Sequence, residues 1–111
     1  MHVELRKAGD VVVVDLDGKL TAGMGDQLLR DAVAQLLADR HRKILVNLSQ
    51  VSFIDSAGVG ELVAGLRAAQ RAGAALKILN SSERVNPTLY LARLLPIFEV
   101  YQAERDALQS F

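Results

Sequence analysis

The sequence has no cysteine and no tryptophan, and only two prolines, two histidines and five other aromatic residues. Without cysteine there are no disulfides, no thiolate zinc sites and no cysteine nucleophile. Charge of one sign is missing too: thirteen Lys and Arg balance thirteen Asp and Glu, for a net charge of zero. Proteins that bind nucleic acid by neutralising phosphates need a basic excess or patch, so no direct nucleic-acid binding is expected. No apolar run approaches the ~20 residues needed to span a bilayer. Met1–Lys7 lacks the basic start and apolar stretch of a signal peptide. No membrane insertion and a cytoplasmic location are therefore expected. What is present is globular composition: 50% hydrophobic and 23% charged residues in 111. That length suits one domain, residues 1–111.

The pattern along the chain alternates strands and helices. Val3–Ala8 and Val11–Leu16 flank a Gly9-Asp10 turn pair and read as an opening β-hairpin. The run Val11-Val12-Val13-Val14 favours a strand, because branching at Cβ restricts χ1 and packs well on a pleated sheet. Leu28, Leu29, Ala32, Val33, Leu36 and Leu37 recur at helical spacing after Asp26, a candidate cap. Arg40–Lys43 places cations near that helix end, where they favour its dipole. Ile44–Leu48 reads as a central strand covered on both faces, followed by a connection over 49–57. A second amphipathic helix carries Val59, Leu62, Val63, Leu66 and Ala69 and stops near Gly73. Leu76–Leu79 is a short strand. A helix with Val85, Leu89, Ala92 and Leu95 ends at Pro96, then come a strand at Ile97–Tyr101 and a small helix over 102–110. The order β-β-α-β-α-β-α-β-α predicts an α/β fold with a mixed, mostly parallel sheet.

The familiar catalytic patterns are absent. No P-loop occurs. Gly58-Val59-Gly60 starts a dinucleotide fingerprint, but Val63 stands where its third glycine belongs; Gly23-Met24-Gly25 fails the same way at Leu28. A nucleophile elbow around Ser56 has Gly58 but Ile54 in place of the other glycine. The two histidines, His2 and His41, lie in a terminal strand and at a helix end, so no triad base is evident. No carboxylate spacing suggests a metal site. The chain is read as neither an enzyme nor a cofactor binder.

What remains is Phe53-Ile54-Asp55-Ser56-Ala57-Gly58-Val59-Gly60, joining a buried strand to an amphipathic helix. Two readings stand side by side. In the structural one, Ser56 caps the helix, Asp55 faces the helix dipole, and the glycines allow close packing. In the functional one, Ser56 is a surface hydroxyl at a helix start, where a phosphate of charge about −1.5 to −2 can be accommodated. Asp55 opposes that charge, the dipole favours it by only ~0.3–1 kcal/mol, and neither remodels the domain. A like-charge clash across an interface costs several kcal/mol. A phosphate there would block a partner rather than refold the chain. Glu61, Arg67, Gln70 and Arg71 on the exposed side of the helix are either a solvated face or contacts beside Ser56.

Asp55-Ser56-Ala57-Gly58-Val59-Gly60, with the strands and helices around it, closely resembles the signature of STAS domains, and more narrowly that of bacterial anti-sigma factor antagonists. The resemblance covers essentially the whole chain: the hairpin, Gly18-Lys19-Leu20, the first helix, the signature loop and Leu76–Leu79. It implies helices packed mainly on one face of the sheet, about four in all. It also implies partner switching. The unphosphorylated member binds an anti-sigma factor that is also a serine/threonine kinase, and this frees the sigma factor. The kinase phosphorylates the serine and ends the binding; a PP2C-type phosphatase restores it. Carried over, Ser56 is the phosphoacceptor and Asp55 orders the loop and contacts the kinase. Ala57, Gly58 and Gly60 lie in the partner-binding loop, the glycines giving the kinase access to the backbone. ATP and Mg²⁺ belong to the kinase. Many antagonists have an acidic residue after the Gly-x-Leu of the second strand. Here Thr21 stands there, in the candidate partner loop, and is otherwise a turn residue.

Two other functions compete. STAS domains also serve as scaffolds or regulatory subunits in stressosome-like shells and transporter-associated complexes, which a large homo-assembly would reveal. Nucleotide binding has been proposed for some, and calorimetry with ATP and GTP decides it.

Overall fold

The computed structural model describes residues 1–81 and 97–111. Two strands open it: β1 over His2–Ala8 and β2 over Val11–Leu20. Helix α1 (Gly25–Ala38), strand β3 (Lys43–Ile54), helix α2 (Ser56–Arg71) and strand β4 (Ala75–Leu79) follow. A two-residue strand β5 (Val100–Tyr101) and helix α3 (Glu104–Gln109) complete the described residues. The sheet order is β1-β2-β3-β4-β5. β1 is antiparallel to β2, and the other three pairings are parallel. This is the expected mixed, mostly parallel α/β architecture. The anticipated helix around Val85–Leu95 lies outside the described residues, which hold three helices.

The sheet is sandwiched unequally. Val12, Val14, Leu16, Ile44, Val46, Leu48 and Ile78 face Leu29, Val33, Leu36, Leu62 and Leu66 of α1 and α2 in the main core. On the opposite face Val11, Val13, Leu45 and Leu79 meet Ala107 of α3, with Leu108 and Phe111 beside them. β3 is the middle strand, and Ile44, Leu45 and Val46 are all fully buried. That is why Ile44–Leu48 reads as unbroken apolar sequence. Each such side chain contributes about 1.5–3 kcal/mol when fully buried.

Several boundaries differ from the sequence reading. β2 continues past Leu16 to Leu20, and β3 past Leu48 to Ile54, so most of the expected connection over 49–57 is strand. The two extensions pair with each other, with register shifts between Asp15 and Asp17 and between Gly18 and Lys19. The shifts break the strict alternation by which a strand is recognised. Polar strand residues are satisfied across the sheet. Asp15 accepts from Arg6 Nε (2.6 Å) and Asn47 Nδ2 (2.8 Å), and Asn47 Oδ1 accepts from the Ser49 amide (3.0 Å). Buried Lys77 donates to the Ser110 carbonyl (2.7 Å), pairs with Glu99 (3.2 Å) and sits 4.8 Å from the Phe111 ring centre. The last strand is only Val100–Tyr101, since Ile97 and Phe98 form a turn and bend.

Helix ends also differ. Asp26 is not the cap of α1: Met24 holds that position with no side-chain hydrogen bond, and Asp26 lies inside the first turn. The cations of Arg40–Lys43 fall beyond the last turn of α1 rather than within it, and Lys43 Nζ pairs with Asp10 instead (2.5 Å). Gly73 ends α2 as expected, with φ of +72°.

Candidate functional site

The C-terminal ends of β2 and β3 and the starts of α1 and α2 meet at one edge of the molecule. Ser56 is the first residue of α2 and is exposed. Among the described residues its hydroxyl makes no hydrogen bond. The cap is Asp55, not Ser56. Asp55 is extended (φ −99°, ψ −176°), and its Oδ1 accepts from the Gly58 amide at 2.9 Å. A carboxylate meets one of the orphan N–H groups and complements the dipole at the same time. Capping by its neighbour leaves the serine hydroxyl free.

Asp55 also reaches across the site. Its Oδ2 accepts from the Ala22 amide at 3.0 Å, and its own amide donates to the Leu20 carbonyl at 3.3 Å. The Ala22 and Gly58 amides hold the Asp55 carboxyl below the ordinary aspartate range, the Ala22 bond having the largest influence. The expectation that Asp55 orders the loop thus acquires partners: one in α2, the other in the β2–α1 loop.

The two signature glycines do different things. A Cβ on Gly58 would overlap the carbonyl oxygen of Leu20, so α2 rests directly on the end of β2. Gly58 is buried and gives no outside partner access to the backbone; its small size serves internal packing. Gly60 is exposed, with nothing within 4 Å of a Cβ built on it. Only Gly60 fits the expected role of leaving room for a partner. Ala57 is half-buried beside Ser56. Thr21 is half-buried, and its carbonyl accepts from the Asp26 amide at 3.1 Å, a turn contact. Glu61 is tied to Arg30 of α1 at 3.0 Å, whereas Arg67, Gln70 and Arg71 are exposed.

Sequence reading passed over two residues here. Met24 (64% exposed), two residues past the Ala22 that bonds Asp55, and Phe53 (55% exposed), three residues before Ser56, are large apolar side chains left in solvent. Met24 stands in the glycine stretch read as a loop, and Phe53 in the expected connection over 49–57. For Phe53 the signal was its place three residues before Ser56; Met24 is brought to the signature only by the Ala22–Asp55 bond, which spacing along the chain does not reveal. Among the described residues, no group of three or more His, Asp or Glu could hold a metal ion.

The sequence profile of the STAS domain matches residues 2–107. The chain belongs to the STAS domain family. Solved structures resemble it over nearly their whole length. A putative anti-sigma factor antagonist from Thermotoga maritima is 25% identical, with a TM-score of 0.82, covering 97% of this chain and 92% of that one. The anti-sigma factor antagonist SpoIIAA in its unphosphorylated form is 19% identical, with a TM-score of 0.75 and coverage of 98% and 96%. The Bacillus SpoIIAA in its phosphorylated form is 22% identical, with a TM-score of 0.70 and coverage of 98% of both chains. The STAS fold is therefore common to this chain and to a relative in either phosphorylation state.

Proposed function

We propose that this STAS domain is an anti-sigma factor antagonist whose binding is switched at Ser56. Without phosphate it binds an anti-sigma factor that is also a serine/threonine kinase, and the sigma factor is released. The kinase moves the terminal phosphoryl group of its ATP to Ser56 Oγ, with loss of the hydroxyl proton, and binding ends. A PP2C-type phosphatase hydrolyses the ester. This chain supplies only the hydroxyl and the surface around it; it catalyses nothing, needs no cofactor, and works in the cytoplasm. No described helix is long and apolar enough to cross a membrane.

The observation that carries this reading is the exposed Ser56 at the start of α2, its hydroxyl unbonded among the described residues, on a loop anchored by the two Asp55 bonds. A hydroxyl serving as a cap would have to leave its amide before it could be modified. This one is free. Fold-level likeness to a protein known in both phosphorylation states supports it as well. The phosphate's charge of about −1.5 to −2 sits at a helix start that tolerates it, so its main cost falls on the docked complex.

The test is capture of partners from native lysate, followed by ATP and mass spectrometry. A bound kinase that places phosphate on Ser56 is expected; phosphate elsewhere, or none, overturns the reading. Ser56→Ala should hold that kinase persistently and Ser56→Asp weakly, while Ser56→Ala changes stability by no more than about 0.5 kcal/mol. A large homo-assembly that captures no kinase would favour the scaffold role instead.

A further inference from the structure

We propose that Asp55 links Ser56 to a second docking element, the loop 21–24 with exposed Met24, and that phosphate on Ser56 loosens this loop by repelling the Asp55 carboxylate and so breaking its bond to the Ala22 amide. This rests on Ser56 being the phosphoacceptor for the kinase partner proposed above. It adds that the loop which the family resemblance already places beside the partner is coupled to the serine, so that one modification alters both.

The geometry is specific. Asp55 uses one carboxylate oxygen on Gly58 at the buried first turn of α2 and the other on Ala22, 33 residues away in sequence. The loop has little else to hold its tip. Met24 occupies the cap position of α1 with no side-chain hydrogen bond, and Gly23 has φ of +103° with nothing within 4 Å of a Cβ built on it. The base is firmer: the Asp26 amide donates to the Thr21 carbonyl and the Leu28 amide to the Met24 carbonyl (2.9 Å). Freedom is thus concentrated at Ala22 and Gly23. A loop tip that exposes 64% of a methionine, two residues past the amide bonded to Asp55, is suited to an adaptable apolar contact.

Phosphate on Ser56 places a second, stronger anion on the residue next to Asp55, at a helix start with few free amides. The two anions repel, and both compete for the same donors. Of the two Asp55 bonds, the one to Gly58 lies within a packed turn. The one to Ala22 is exposed and yields first.

The experiment needs no partner. Phosphoserine is incorporated at position 56 during translation, and the protein is labelled with methyl-¹³C methionine. Met1 and Met24 are the only methionines, so two methyl signals result. Phosphoserine should speed hydrogen exchange of the Ala22 amide by about tenfold or more and shift the Met24 methyl signal. Asp55→Asn keeps a cap oxygen for Gly58 but lacks a second one for Ala22. It should therefore produce the loosened loop without phosphate, and phosphoserine should then add nothing. An unchanged Ala22 exchange rate and Met24 signal in the phosphoserine protein would overturn the proposal, as would Asp55→Asn leaving both unchanged. Because no kinase is involved, a latched loop in the phosphoserine protein refutes this link alone. A native kinase that ignores Ser56 refutes the earlier reading alone.

Discussion

The two helices that cover the main face of the sheet start side by side, yet their starts are built differently. Both rest on the end of β2 through a glycine: Gly58 in α2 against the Leu20 carbonyl, and Gly25 in α1, where a Cβ would fall 2.5 Å from the Lys19 carbonyl oxygen. From there they diverge. α2 has a carboxylate cap within its own loop, whereas α1 has Met24, which caps nothing. The same Asp55 that caps α2 holds the loop leading into α1. One start is self-sufficient and the other borrows its order, so an event at the first is felt at the second.

The comparison breaks most visibly at the glycines. Gly58→Ala should destabilise the protein by about 2–3 kcal/mol, roughly 10 °C in Tm, because the added methyl meets backbone rather than a movable side chain. Gly60→Ala, two residues on and facing open space, should raise stability by about 0.5–1 kcal/mol, as expected for glycine in an exposed helix. Urea unfolding of the two variants measures both. Equal effects would mean that α2 does not sit on β2 as described.

Asp55 gives an intermediate effect and a pH signature. Asp55→Ala should cost several degrees in Tm at neutral pH through the lost cap and the lost loop bond. The native carboxyl titrates below its unfolded value near 3.9. Its contribution is thus complete above that value and disappears as pH falls through the lower, folded pKa. The wild-type advantage over Asp55→Ala should stay level from pH 7 to about 5, then shrink below pH 4. Thermal melts at stepped pH would show it; a gap that grew on acidification would contradict the assigned bonds.

The smallest effects belong to the opposite helix ends, where α1 and α2 finish in the same motif with different residues. The amides of Arg40 and His41 donate to the carbonyls of Leu37 and Leu36, just as those of Gly73 and Ala74 donate to Gln70 and Ala69. This is the Schellman arrangement, which requires a left-handed residue. α2 uses Gly73 (φ +72°) and α1 uses Arg40 (φ +66°). Arg40→Gly should therefore stabilise by up to about 1 kcal/mol and Gly73→Ala destabilise by about as much, both readable as shifts in the urea midpoint.

Much of this was legible beforehand. The Val11–Val14 run, the helical spacing of Leu28–Leu37 and the unbroken Ile44–Leu48 segment identify elements because their side chains pack on the core they predict. Boundaries were less legible where strands carry polar residues. Ser49, Gln50 and Ser52 read as connection, yet lie in β3 because β2 offers a matching extension. At the site, the structural reading of the Asp-Ser-x-Gly-x-Gly segment placed close packing at Gly58 correctly but put the cap one residue late. Capping fell to Asp55 rather than Ser56, and of the two glycines read as packing positions Gly58 is one and Gly60 is not.

From sequence alone come the α/β class, the strand and helix periods, the family, and the serine at the start of the second helix. These depend on residues near one another along the chain, where pattern and propensity act directly. That Asp55 bonds to Ala22 and that Gly58 touches Leu20 were settled only when β2 and β3 lay parallel. Such contacts join segments more than thirty residues apart, and no local preference encodes which groups a closed sheet will bring within reach.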